Sequence, residues 1–180
     1  MDLVTVDKSR FNDAIKAYFL WKELNALIKN NHSRGVNIPE TITETLLCYV
    51  TGFKLNKGSG GDAFDEVNNR IIEVKATSNF ERDTSSFSPK EKFDDLHFVR
   101  LNQREDKMYF YDLGINDEIL KKVKVNKMET LEMQQNAGRR PRFSIIKQII
   151  EIDNIKEYSI LDLREKKLSK SRRAVCCLSY

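Results

Sequence analysis

The stretch Gly60-Gly61-Asp62-Ala63-Phe64-Asp65-Glu66-Val67-Asn68-Asn69-Arg70-Ile71-Ile72-Glu73-Val74-Lys75-Ala76-Thr77 decides the fold. It reads as two short strands joined by Asn68-Asn69. Polar and apolar residues alternate through 70–75, Ile71, Ile72 and Val74 are β-branched, and asparagine tolerates positive φ. With Val67 and Arg70 flanking a two-residue turn, Glu66 pairs with Ile71, Asp65 with Ile72, Phe64 with Glu73, Ala63 with Val74 and Asp62 with Lys75. Side chains alternate with period two, so Glu73 and Lys75 share a face. This register sends Asp62 to the same face and Asp65 to the other, which favours Asp62 as their partner. Two carboxylates and an ammonium on one patch of sheet have a chemical use beside a divalent metal, and hard oxygen ligands suit Mg²⁺. Such an ion polarises a phosphoryl oxygen and acidifies a bound water, while the lysine holds that water or stabilises charge on the pentavalent phosphate. The competing reading is a hairpin with one solvated, charged face.

Asp62 followed by Glu73-Val74-Lys75 resembles the PD-(D/E)XK nuclease motif, and the flanking Gly60-Gly61-Asp62 and Ala76-Thr77 are similar to those of small type II restriction endonucleases. The match is tight over the motif and loose elsewhere, and Gly61 rather than proline precedes Asp62. The resemblance implies an α/β chain with an α/β/α restriction-endonuclease-like core around a mixed four- to five-stranded sheet. It also implies Mg²⁺-dependent cleavage of double-stranded DNA at a short, G·C-containing site, leaving 5′-phosphates. Asp62, Glu73 and Lys75 are then catalytic, with Asp62, Glu73 and the Val74 carbonyl on the metal. In this superfamily a helical glutamate ahead of the motif often reaches the metal site, and Glu44 resembles it, although a capping or surface role suits Glu44 equally. The layout of segments is most similar to that of small enzymes cutting GCNGC.

A chain of 180 residues suits one well-cored domain spanning 1–180. With 40% apolar and 32% charged residues it has the composition of a soluble globular protein, and no apolar run approaches the roughly 20 residues of a membrane span. The start, Met1-Asp2-Leu3-Val4-Thr5, lacks the basic and apolar segments of a signal peptide, so cytoplasmic residence is expected. Cys48, Cys176 and Cys177 have the spacing of neither a disulfide framework nor a zinc site, and read as reduced. The net charge of +4 permits nucleic acid, and the basic residues cluster at 121–127, 139–142 and 166–173, the last reading as a solvated tail.

Residues 9–30 place Phe11, Ile15, Tyr18, Phe19, Leu24, Leu27 and Ile28 at helical spacing, with Trp21 besides. That aromatic weight serves either the core or a dimer face. Cutting both strands of a palindromic site needs two active sites, which points to a homodimer. Pro39 starts and Gly52 closes a second helix over 40–53, burying Ile42, Leu46, Tyr49 and Val50. The loop 54–61 either approaches a phosphate backbone or is plain punctuation. The polar run 78–92 has no period; held by a rigid sheet, it offers Ser86, Ser88 and Lys90 to DNA.

Residues 96–101 and 107–113 are two further strands around a charged turn. His97 and His32 lack a second histidine at ligand spacing and read as structural. A short helix follows over 115–123. The stretch 130–144 departs from periodic structure and concentrates Gln134, Gln135, Arg139, Arg140 and Arg142. Arginine can read guanine bidentately and glutamine adenine, whereas phosphate anchoring needs only charge; a mixture is expected, with at least one arginine on guanine and Pro141 restricting the backbone between them. Residues 144–160 fit a buried helix or a strand. Two competitors remain open: a structure-selective repair or junction nuclease, and a non-catalytic DNA-binding module whose acids merely pair with Lys75.

Overall fold

The computed structural model describes residues 1–88 and 92–170. An edge strand β1 (Leu3–Val4) leads into helix α1 (Lys8–Asn31), whose first turn is capped by the Asp7 carboxylate accepting from the Arg10 N–H. Helix α2 (Glu40–Thr51) ends at Gly52, which takes φ 84° and donates its N–H to the Cys48 carbonyl. Strands β2 (Lys54–Asn56), β3 (Ala63–Asp65), β4 (Arg70–Thr77), β5 (Ser85–Ser86), β6 (Asp95–Asn102) and β7 (Lys107–Asp112) follow. After them come the short helices α3 (Asp117–Lys121) and α4 (Leu131–Asn136), strand β8 (Arg142–Phe143), one π-helical turn at Ile146–Ile150, and the hairpin β9 (Ser159–Asp162) and β10 (Lys167–Lys170).

Among the described residues, eight strands form one sheet in the order β1-β2-β3-β4-β6-β7-β9-β10, with antiparallel neighbours throughout except β4 and β6, which run parallel. The expected four to five strands are thus too few. The strands that escaped notice are only two to four residues long, too short to display a period. Apolar residues on the two sides of β6 alternate into two cores. Val99 and Leu101 join Ile72, Val74 and the inner faces of α1 and α2, whereas Leu96 and Phe98 join Phe93, Phe143 and the Ile145–Ile150 segment. Helices therefore cover both faces of the sheet, a mixed α/β layering compatible with the expected class.

The β3–β4 register differs from the expected one by two residues: Ala63 pairs with Ile72, Phe64 with Ile71 and Asp65 with Arg70. The turn spans residues 66–69, not Asn68-Asn69 alone. Asp65 makes it, its Oδ1 accepting from the Val67 N–H at 2.9 Å and the Asn68 N–H at 3.3 Å, while Asn69 supplies the left-handed residue with φ 53°. A slip of two keeps every side chain on its face, so Asp65 still projects away from Glu73.

On α1 the aromatic residues are core: Phe11, Tyr18 and Trp21 are buried, and the Trp21 indole donates to the Val36 and Asn37 carbonyls at 3.1 and 3.0 Å. Leu20, Leu24 and Leu27 form a separate stripe, each at least half exposed. Within the aperiodic stretch 130–144, Thr130 caps α4 by accepting from Met133, and residues 144–160 resolve into both alternatives, the π-helical turn and then β9. No helix among the described residues is long and apolar enough to cross a membrane.

Candidate active site

The β3–β4 ladder stops at Ala63 because Gly60 and Gly61 take φ 92° and 87°. A Cβ at Gly61 would collide with the Ile71 Cγ2, and proline, locked near φ −65°, cannot adopt this backbone. The chain swings so that Asp62 donates its N–H to the Ile72 carbonyl at 2.9 Å and accepts the Val74 N–H on Oδ2 at 2.7 Å, where a strand carbonyl would otherwise sit. The Asp62 carboxylate is thereby fixed on the backbone between Glu73 and Lys75. Glu73 is buried, and its Oε1 accepts from Lys75 Nζ at 2.5 Å. The same ammonium lies 5.3 Å from the centre of the Phe87 ring.

Helix α2 brings a third acid. Burial and then the charges of Asp62, Glu40 and Glu73 push the Glu44 carboxyl up to about 8, with Lys75 opposing them. One turn further, burial followed by Glu44 and Asp62 pushes the Cys48 thiol up to about 12. Three neighbouring carboxylates, two of which disfavour the charge of Glu44, form the donor chemistry of a hard divalent cation, so the residues fit such an ion. No group of three or more His, Cys, Asp or Glu side chains is assembled as a finished metal centre among the described residues. Asp62 instead holds the Val74 N–H and Glu73 holds Lys75.

Asp65 has another role. Burial raises its carboxyl, but the Asn68 amide at 2.6 Å and the Asn68 and Val67 N–H groups outweigh that and hold it below the usual carboxylate range. The loop before Asp62 is likewise internally organised: Asn56, buried, donates to the Gly61 carbonyl at 2.8 Å and accepts from the Asp2 and Gly58 N–H groups. Its side chain shapes the loop. His97 is buried against Phe53 and Tyr158, and burial lowers its pKa, in keeping with a structural histidine.

Beside Lys75 opens a cleft of about 680 Å³, walled by Arg34, Asn37, Arg82, Ser86, Arg140 and Arg142 among others. The loop running from β4 through it is braced at several points. Thr77 Oγ1 donates to the Asn79 or Arg82 carbonyl at 3.1 and 2.9 Å, Arg100 donates to the Phe80 carbonyl at 2.6 Å while stacking 4.3 Å over its ring, and Gln103 bonds the Ser78 carbonyl.

Of the residues expected to touch DNA, Ser86, Arg140 and Arg142 line this cleft. Arg139 and Gln134 do not: both donate to Glu129, whose carboxyl they and Asn126 hold down at about 2, Arg139 being the foremost cause. Gln135 reaches the Ser88 carbonyl at 3.4 Å, and the two line a small recess with Phe93 and Leu131. Lys90 lies outside the described residues, as do Cys176 and Cys177. Arg34, Asn37 and Arg82 are lone polar residues in loops with no motif around them, and only their convergence on the cleft beside Lys75 marks them.

A family model described as Bsp6I restriction endonuclease matches residues 6–152. The chain is 62% identical over 169 residues to the type II restriction enzyme Bsp6I of Bacillus sp. (strain RFL6), covering 94% of this chain and 97% of that protein. No solved structure gives a significant match.

Proposed function

From the premise that this chain belongs to the Bsp6I restriction endonuclease family and is a type II site-specific deoxyribonuclease, we propose that it cuts through a PD-(D/E)XK-type centre made of Asp62, Glu73 and Lys75. The observation that carries this reading is the meeting of Asp62, just ahead of β3, with Glu73 and Lys75 of β4, where Lys75 borders an arginine-walled cleft. Asp62, Glu73 and the Val74 carbonyl would hold Mg²⁺, with Glu44 as a further acid beside them. Bound there, the ion supplies a polarised phosphoryl oxygen and an acidified water. Lys75, kept charged by Glu73, would turn to orient the attacking water with its ammonium and favour loss of that water's proton to solvent. In-line attack on phosphorus then displaces the 3′ oxygen and leaves a 5′-phosphate.

DNA lies in the cleft, its phosphates against Arg34 and Arg82 and its base edges against Arg140 or Arg142, which suits a short G·C-containing site such as GCNGC. Cutting both strands takes two copies of the chain, and the exposed Leu20, Leu24 and Leu27 of α1 support a homodimer formed there. Digestion of a plasmid of known sequence tests the reading with Mg²⁺, with EDTA and with Glu73→Ala. Discrete fragments that need the metal and vanish in the variant are expected; cutting that survives either the chelator or the substitution would overturn it.

A further inference from the structure

The chain leaving the catalytic strand is fastened to the arginine-bearing segment by one carboxylate. Asp83 Oδ1 accepts from the Ser144 hydroxyl at 2.5 Å and the Ile146 N–H at 3.2 Å, while Oδ2 accepts from the Ile145 N–H at 2.7 Å and the Ser85 hydroxyl at 3.1 Å. Directly beyond Asp83, β5 pairs with β8, Ser85 opposite Phe143 and Ser86 opposite Arg142. Phe87 then stacks on Phe143, centres 5.4 Å apart and planes 18° from parallel, and the other end of that contact is Lys75 Nζ beside the Phe87 ring. Arg142 is thus joined to Lys75 by a short path of paired backbone and stacked rings, and Asp83 closes its far side.

We infer that Asp83 is a positioning residue for specificity: its carboxylate fixes the β5–β8 pair so that Arg140 and Arg142 can engage bases only in the geometry that also presents the phosphate to Lys75. The inference rests on the reading that these arginines contact DNA in the cleft. Asp83 touches neither DNA nor the reacting atoms. Its effect reaches the site through Arg142 and Phe87, and a displacement of these by a fraction of an ångström should favour correct and incorrect sites less unequally. The four donors that converge on it come from two segments distant in sequence, so its carboxylate adds to the β5–β8 pairing and the ring stack in fixing their relative position.

The test is the ratio of kcat/KM on a duplex carrying the site mapped from plasmid fragments to kcat/KM on the same duplex with one base pair changed, alongside thermal unfolding. Asp83→Asn keeps the volume but leaves one oxygen for donors that now use two, and its ratio is expected to fall by about tenfold to a hundredfold. The salt dependence of binding should stay at the wild-type slope, because no phosphate contact is lost. A purely structural role would lower both rates in proportion, and an unchanged ratio would overturn the proposal. If Asp83→Asn does not fold, Ser144→Ala removes a single donor and should lower the ratio by about threefold; an unchanged ratio there counts equally against it. Arg142→Ala separates the two levels: unchanged affinity and ratio in that variant would remove Arg142 from the DNA and sink the underlying reading, whereas a response to Arg142→Ala without one to Asp83→Asn sinks the role of Asp83 alone.

Discussion

Two carboxylate centres in this molecule are built to opposite ends. Asp106, at the β6–β7 turn, is completely buried yet collects the Tyr18 hydroxyl at 2.5 Å, the Lys22 ammonium, and the Arg164 guanidinium through Nε at 2.6 Å and a terminal nitrogen at 2.5 Å. Burial raises its carboxyl, but the bonds from Lys22, Tyr18 and Arg164 outweigh that and hold it below the usual range. Glu44 is less buried and goes the other way, because its neighbours Asp62, Glu40 and Glu73 add to the effect of burial. The acid that ties α1 to two turns of the sheet has its charge matched from within the protein. Around Glu44 the neighbouring acids outweigh Lys75, so its charge is disfavoured, the kind of perturbation expected where a cation is to be bound.

The contrast can be broken most sharply at Glu73. Glu73→Ala should lower cleavage by roughly a thousandfold or more while the metal-free protein still unfolds cooperatively, as read from single-turnover digestion and a thermal melt. Asp106→Ala should do the reverse. It strands the Tyr18 hydroxyl and two cations, costing about 3 kcal/mol in urea denaturation, the low end of such losses because Lys22 and Arg164 can turn to solvent. The folded fraction should cut at the wild-type rate.

A third measurement follows the pH. The Glu44 pKa is raised from 4.5 to about 8, so between those values the folded chain binds more protons than the unfolded chain, and stability falls as pH rises through that window. Melting temperature in EDTA should therefore decline from pH 5 to pH 8. Glu44→Gln should flatten that decline, and a curve of the same slope in the variant would count against the crowding of acids. The smallest effect is expected for Tyr18→Phe, which removes one of the bonds to Asp106: about 1 kcal/mol of stability, with cleavage unaltered.

How far the sequence disclosed this arrangement depends on the range of the signal. The Glu73 and Lys75 face was legible because period two is a local property, and a register slip of two residues leaves it intact. The turn length was not, since Asn68-Asn69 suits a two-residue loop as well as the longer turn that Asp65 selects by reaching forward to Val67 and Asn68. Arg139 and Arg140 are neighbours of identical chemistry, yet Glu129 captures the first and the second lines the cleft. Nothing within 139–142 separates them. Arg34, Arg82 and Asp83 were invisible for the same reason, because their meaning comes from residues far along the chain.

The left-handed backbone at Gly61 bears on how this protein can be engineered. Gly61→Pro would appear to complete the motif that the hairpin resembles, and a consensus-guided design would choose it early. A proline, locked near φ −65°, cannot take the 87° found here without unwinding the bend that sets Asp62 over Val74. Here the substitution that makes the sequence look most like a nuclease is one that should dismantle the active site proposed for it.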